Sequence, residues 1–199
     1  MASVIVAGDV SGSCTLQAPS AAGSTVLTLP VIAADTLAGI AATQTLTNKT
    51  LGTGTVFPAG AVLQVVNGTY ATQVTTTSAT PVTTNLTATI TPKFATSKIL
   101  VIASVQGIQK NAGNVVNGAM LSLYKNGSSI LSNYALYIGY NNTSSINCVG
   151  SNSLNYQDSP ATTSATTYAI FVASSVSGQP VDVHVDGDTS TITLMEIAG

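Results

Sequence analysis

Charge is what this sequence has least of. Only 6% of its 199 residues are Asp, Glu, Lys or Arg, where soluble domains average about a quarter. Arginine is absent, and the basic residues Lys49, Lys93, Lys98, Lys110 and Lys125 are spread along the chain. Nucleic-acid binding needs clustered cations to neutralise phosphates, so nucleic acid is excluded as a partner. Tryptophan is absent as well, which argues against sugar-cleaving grooves built on aromatic platforms. A single histidine, His184, is present, so a Ser-His-Asp or Cys-His relay has one place where it can be built. The two cysteines, Cys14 and Cys148, are too few for a disulfide framework or a zinc site. They read as small buried hydrophobes in a protein made in a reducing cytoplasm. Long apolar runs are also missing. The most apolar stretch, ILVIASV (99–105), falls far short of the ~20 residues a spanning helix needs. The opening MASVIVAGDVSG lacks the basic start and continuous apolar centre of a signal peptide. No membrane insertion is expected.

What remains is hydrophobic, hydroxyl and amide. Hydrophobic residues make up 45% of the chain, enough to fill a core. With so few charges, Thr, Ser and Asn must hydrate the surface, and identical neighbours are expected to cover much of the rest. Closed symmetric homo-oligomers are the common solution.

The chain divides near Phe57-Pro58-Ala59-Gly60. Before this point, short apolar bursts such as VIVAG (4–8), CTLQA (14–18) and STVLTLP (24–30) are punctuated by Gly and Pro. Such pieces bury too little surface to offset their ordering entropy alone. Residues 1–60 therefore read as an N-terminal arm that is ordered by pairing with other chains, with AADTLAGIAA (33–42) as a short helical turn. From residue 61 to 199 the strand signals lengthen: LQVVNGTY (63–70), NLTATITP (85–92), KILVIASVQGI (98–108), AMLSLYK (119–125), SSILSNY (128–134), SINCVGSNSLNY (145–156), TTYAIFVASS (166–175), VDVHVDG (181–187) and STITLMEI (190–197). Period-two alternation places Leu86, Ala88 and Ile90 on one face, pairs Leu121 with Leu123, and points Val181, Val183 and Val185 in with Asp182 and His184 out. Asn126-Gly127 is a two-residue hairpin turn, and Asp186-Gly187 is a second tight turn. The fold class is all-β: an extended N-terminal arm followed by a jelly-roll β-sandwich knob, in a chain expected to form a homo-oligomer.

Several segments carry a resemblance. TLQAPSAAGSTVLTLP (15–30) with ADTLAG (34–39) resembles a segment near the start of tailed-phage fibre and virion proteins. TQTLTNKTLGTG (43–54) resembles the LTNKT linker of phage tail fibres, and ITPKFATSKILVIASVQG (90–107), YQDSPATTSATTYAIF (156–171) and STITLMEIAG (190–199) are similar to small phage structural proteins. A further likeness is to C1q/TNF-like trimeric jelly rolls: LSLYKNGSSIL (121–131), then GQPVDVHV (178–185), then a final apolar strand. The aromatic positions of that family are missing. The resemblance implies a bacteriophage virion protein of the short tail fibre or head decoration type, with residues 1–60 as its arm for virion attachment and trimerisation, and the C1q/TNF-like likeness implies an intertwined homotrimer. It implies partners among tail, portal or capsid proteins and a location on the exterior of the particle.

Several sites follow as expectations. Tyr134, Tyr137, Tyr140, Asn141 and Asn142 form a candidate receptor-contact loop, because Tyr offers stacking faces and Asn adaptable hydrogen bonds. The matching reading is a strand pair with Tyr packed across it. Val4, Val6, Leu16, Leu27 and Leu29 are the candidate virion-docking residues of the arm. Asp182, Asp186 and Asp188 flank a Gly turn, but their spacing departs from a calcium loop, and they read as a solvated turn. Neither a metal nor a cofactor is expected, and no enzyme. Six Asn-x-Thr/Ser sequons, beginning at Asn48, Asn67, Asn85, Asn126, Asn141 and Asn142, follow from composition and read as unglycosylated. The leading function is a trimeric fibre or spike subunit that exposes its knob to a host glycan or protein. The alternatives are a capsid decoration (cement) protein or head fibre, and a glycan-binding or glycan-cleaving tail module.

Overall fold

The computed structural model describes residues 3–7, 13–17, 57–111, 117–136 and 149–199, with residues 3–7, 13–17 and 132–136 as backbone. The chain forms two compact units, Met1–Gly52 and Thr53–Gly199.

In the first unit, β1 (Ser3–Ala7) pairs antiparallel with β2 (Ser13–Gln17). Val4 lies opposite Leu16 and Val6 opposite Cys14. The two-residue period then places these four on one face of the ribbon. Leu27 and Leu29, the LTNKT linker and the expected helical turn at 33–42 lie outside the described residues.

The second unit contains β3 (Val62–Tyr70), β4 (Val74–Thr76), β5 (Val82–Ile90), β6 (Lys98–Lys110), β7 (Ala119–Lys125), β8 (Ser128–Leu136), β9 (Val149–Asp158), β10 (Thr166–Ser174), β11 (Val181–Val183) and β12 (Ser190–Ile197). Its antiparallel pairings nest. β7 pairs β8, β6 pairs β9, β5 pairs β10, β4 pairs β11 and β3 pairs β12. The strands are thus one long antiparallel hairpin, rolled so that alternate pairs fall in opposite sheets. One sheet runs β5-β10-β7-β8; the other runs β3-β12-β6-β9, with β4 and β11 extending the lines of β3 and β12. This is a jelly roll. The tip of the hairpin is Asn126-Gly127, with φ of 47° and 81°, the two positive values a type I′ turn requires.

Alternation along each strand builds the core. Leu86, Ile90, Leu121, Leu123, Tyr168, Ile170 and Val172 face Ile99, Val101, Val105, Leu154, Ile192 and Leu194 across the sandwich, all of them buried. Removing each such side chain from water contributes roughly 1.5–3 kcal/mol before entropy.

Two polar anchors close the end where the chain enters the sandwich, here called basal. There Gly60 donates to the Ala198 carbonyl at 2.9 Å, and the Ala198 amide donates to Ala61 at 2.9 Å. Glu196 is fully buried beside it. Its carboxylate accepts from Ser97 Oγ at 2.6 Å, Gln64 Nε2 at 2.6 Å and the Lys93 amide at 2.7 Å, tying the β5–β6 loop to β12. The second anchor joins the sheets: Lys125 Nζ meets Asp158 at 2.9 Å, and the buried Tyr168 hydroxyl donates to the same carboxylate at 2.7 Å.

Two expectations need correction. The strand read over 181–187 ends at Val183 and gives way to a 3-10 turn, Val185–Gly187. Asp182 and His184, expected to point to solvent, are buried. β11 is an inner strand, hydrogen-bonded to β4 on one side and β6 on the other, and His184 adopts a left-handed φ of 59°, which breaks the two-residue alternation. The short β4 carried no sequence signal long enough to register.

Candidate functional site

The single histidine sits in the interior. Its Nδ1 lies 2.7 Å from Ser190 Oγ, and its ring meets Tyr70 edge-on with centroids 5.4 Å apart. Nε2 has no hydrogen-bond partner. Burial lowers its pKa from the ordinary value, and the Thr84 backbone offsets this only in part. A serine beside a histidine suggests a nucleophile and its base. Here, however, both residues have 0% exposure, Ser190 Oγ accepts the Gln106 amide at 2.8 Å, and among the described residues no carboxylate orients the ring. The pair cannot meet a substrate in this conformation.

The acidic turn does not converge. Asp182 is buried and accepts from Thr75 Oγ1 at 2.6 Å, whereas Asp186 and Asp188 are exposed. Among the described residues, no group of three His, Cys, Asp or Glu side chains is placed to hold a metal ion.

The carboxylates and phenols of the interior are structural. Burial alone pushes the Glu196 carboxyl up. Hydrogen bonds from Ser97, Gln64 and the Lys93 and Phe94 amides together outweigh that and hold it below its ordinary value. Tyr168 is pushed far up by burial, then by its hydrogen bond to Asp158 and that group's charge.

The exterior faces of the sandwich differ from each other. On the β5 sheet, Thr83, Asn85, Thr87 and Thr89 are exposed, and Thr89 shares a 2.7 Å hydroxyl contact with Thr167. On the other sheet, register sets Val65, Met195, Leu100 and Gln157 in one cross-strand row, and Asn67, Thr193, Ile102 and Asn155 in the next. Val62, Ile197 and Lys98 form a third. Val65 is 55% exposed and Ile102 37%. Lys98 is the one charged side chain in these rows. Alternation along β3, β6 and β12 is visible in the sequence. Which strands become neighbours is not, so this face was missed.

The predicted site residues fall as follows. Tyr137, Tyr140, Asn141 and Asn142 lie outside the described residues; Tyr134 falls on β8, opposite Leu121. The segment 137–148 connects Leu136, paired with Ala119, to Val149, paired with Gln109. Both strand ends are at the apical end of the sandwich, away from Gly60 and Ala198. In the arm, register brings Val4, Val6 and Leu16 together.

No family model and no curated protein matches the chain. Among solved structures it is similar to dimeric latent PorU from Porphyromonas gingivalis, at 12% identity and a TM-score of 0.30, over 74% of this chain and 14% of that one.

Proposed function

We propose that this chain is a bacteriophage virion structural protein, a homotrimeric fibre or spike subunit. Residues 1–60 anchor it to a tail, portal or capsid protein, and the jelly-roll knob meets the host surface. One observation carries the reading: the outer face built from β3, β12 and β6, which holds Val65, Leu100, Ile102, Met195 and Ile197 with Lys98 as its one charge. An apolar sheet face of this kind on a chain with so little charge needs a cover, and two further copies of the chain supply it. The nested strand order is also that of a jelly roll, as the likeness to C1q/TNF-like trimers implies. The attachment geometry agrees with the role. The chain enters the knob at the basal end, and the strand ends flanking 137–148 are apical, where a receptor-contact segment belongs.

The test is twofold. Light scattering on the purified protein should give the mass of three chains, and immunogold labelling of intact particles should mark the outer surface at a few sites. Hundreds of copies per particle by gel densitometry would replace the fibre with a capsid decoration protein. A monomer in solution would remove the trimer from the proposal. Loss of polysaccharide degradation in Asp182→Asn or His184→Ala particles that still assemble would overturn the non-enzymatic reading.

A further inference from the structure

Four strands lose regular pairing at one level of the sandwich. β3 stops at Tyr70, and its line resumes with β4 at Val74. β11 stops at Val183, and its line resumes with β12 at Ser190. In β6, Gly107 has a φ of 60° where the register to β9 shifts between Val105 and Ile108. In β5, Asn85 has a φ of 63° where the register to β10 shifts. These irregularities form a seam between a basal half, with β3 and β12, and an apical half, with β4, β11 and the 184–189 turn.

His184 plugs the seam. It belongs to the apical turn, yet its amide donates to the Gln106 carbonyl at 3.0 Å, its Nδ1 meets Ser190 of β12, and its ring packs on Tyr70 of β3. Ser190 Oγ also accepts the Gln106 amide, and it shares one proton with Nδ1, contributed by the hydroxyl or by the ring according to the tautomer. In either tautomer the neutral ring is the form this contact fits.

We propose that His184 is an acid-sensitive latch: protonation releases the apical half of the knob from the basal half. A second ring proton makes both nitrogens donors and puts a full positive charge in a site closed to solvent. Among the described residues no counter-charge faces the ring. β3 contributes Tyr70, β5 the Thr84 backbone, β6 the Gln106 carbonyl and β12 the Ser190 hydroxyl, and none is anionic. On the histidine's own stretch, Asp182 is engaged by Thr75, and Asp186 and Asp188 are exposed. The depressed pKa caused by burial agrees with this geometry. The inference does not depend on the virion reading.

The sign follows from linkage. The unfolded or opened form takes a proton near 6.5 and the closed form only at lower pH, so the latch is at full strength above 6.5 and weakens as pH falls. With one histidine in the chain, an NMR titration of its imidazole is unambiguous and can be read beside amide hydrogen exchange, corrected for intrinsic exchange chemistry. Between pH 7.5 and 5, the apical amides of Val183, His184 and Asp188 should lose about tenfold in protection per pH unit below 6.5, while the basal amides of β3 and β12 hold. His184→Asn, which tolerates the left-handed backbone, should flatten this dependence. An imidazole that titrates at or above 6.5, or equal loss in apical and basal amides, overturns the latch. So does an unchanged pH profile in His184→Asn. If that variant does not fold, the wild-type titration still decides.

Discussion

Glu196 shows what a buried charge does in a chain with few of them. It is fully enclosed, yet it stays ionised because the Ser97 hydroxyl, the Gln64 amide and the loop amides of Lys93 and Phe94 all point at it. Replacing it with Gln keeps the shape but turns one acceptor into a donor facing donors. Glu196→Gln should therefore lower the unfolding free energy by roughly 2–3 kcal/mol, the loss expected when a charge-assisted buried network is broken. Urea denaturation at pH 7 reads it directly. The folded pKa is depressed, so this stabilisation is present above the ordinary carboxylate value of 4.5 and fades as pH falls through the lower folded value. The wild type should thus lose its advantage over Glu196→Gln in acid below that range. At the same scale, Gly68 has no room for a side chain: a Cβ there would stand 2.1 Å from the Thr87 carbonyl oxygen, where β3 passes β5. Gly68→Ala must push the two strands apart, and roughly 2 kcal/mol or more of destabilisation is expected in the same assay.

Among the elements, strands with unbroken alternation were legible and the breaks at the seam were not. NLTATI announced β5 with Leu86, Ala88 and Ile90 inward, and that is where they lie. AMLSLYK and STITLMEI delimit β7 and β12 as they stand, and Asn126-Gly127 marks the turn. VDVHVDG looked just as regular. Its alternation fails because the strand ends at Val183 and the next residue turns left-handed over Gly107, a backbone event with no signature in polarity. Gly107 is the partner in that event. Its φ is positive, and an added Cβ would lie 2.4 Å from the Val185 amide nitrogen. Gly107→Ala should loosen the 3-10 turn first. Amide exchange at Asp188, which bonds Val185 at 3.1 Å, should speed up while β7 and β10 remain protected. The outer face of β3, β12 and β6 was half legible for a related reason. Its residues could be assigned to outward positions one strand at a time, but the rows exist only once β3, β12 and β6 are neighbours.

At the scale of the whole molecule, the outer face of β3, β12, β6 and β9 must be weighed against what a stable assembly needs. Four strand positions about 4.8 Å apart and about seven residues of about 3.3 Å each give a footprint near 19 Å by 23 Å, on the order of 450 Å² in projection. A specific interface buries about 800 Å² on each partner. In the proposed trimer the face thus carries the centre of the contact without supplying all of it. The arm, whose β1–β2 ribbon gathers Val4, Val6, Leu16 and Cys14 on one face, is the source of the remainder. The two contributions separate experimentally. Val65→Lys with Ile102→Lys places unpaired cations in the centre of the face and should shift full-length protein toward monomer, with the far-UV spectrum unchanged because both side chains are on the outside. Residues 57–199 alone, which hold the entire sandwich core, should still associate but dissociate on dilution at concentrations where the full chain remains assembled. Sedimentation velocity across a dilution series distinguishes the cases. Equal assembly of 57–199 and the full chain would assign the whole interface to the knob. Unchanged assembly of the double lysine variant would assign it to the arm.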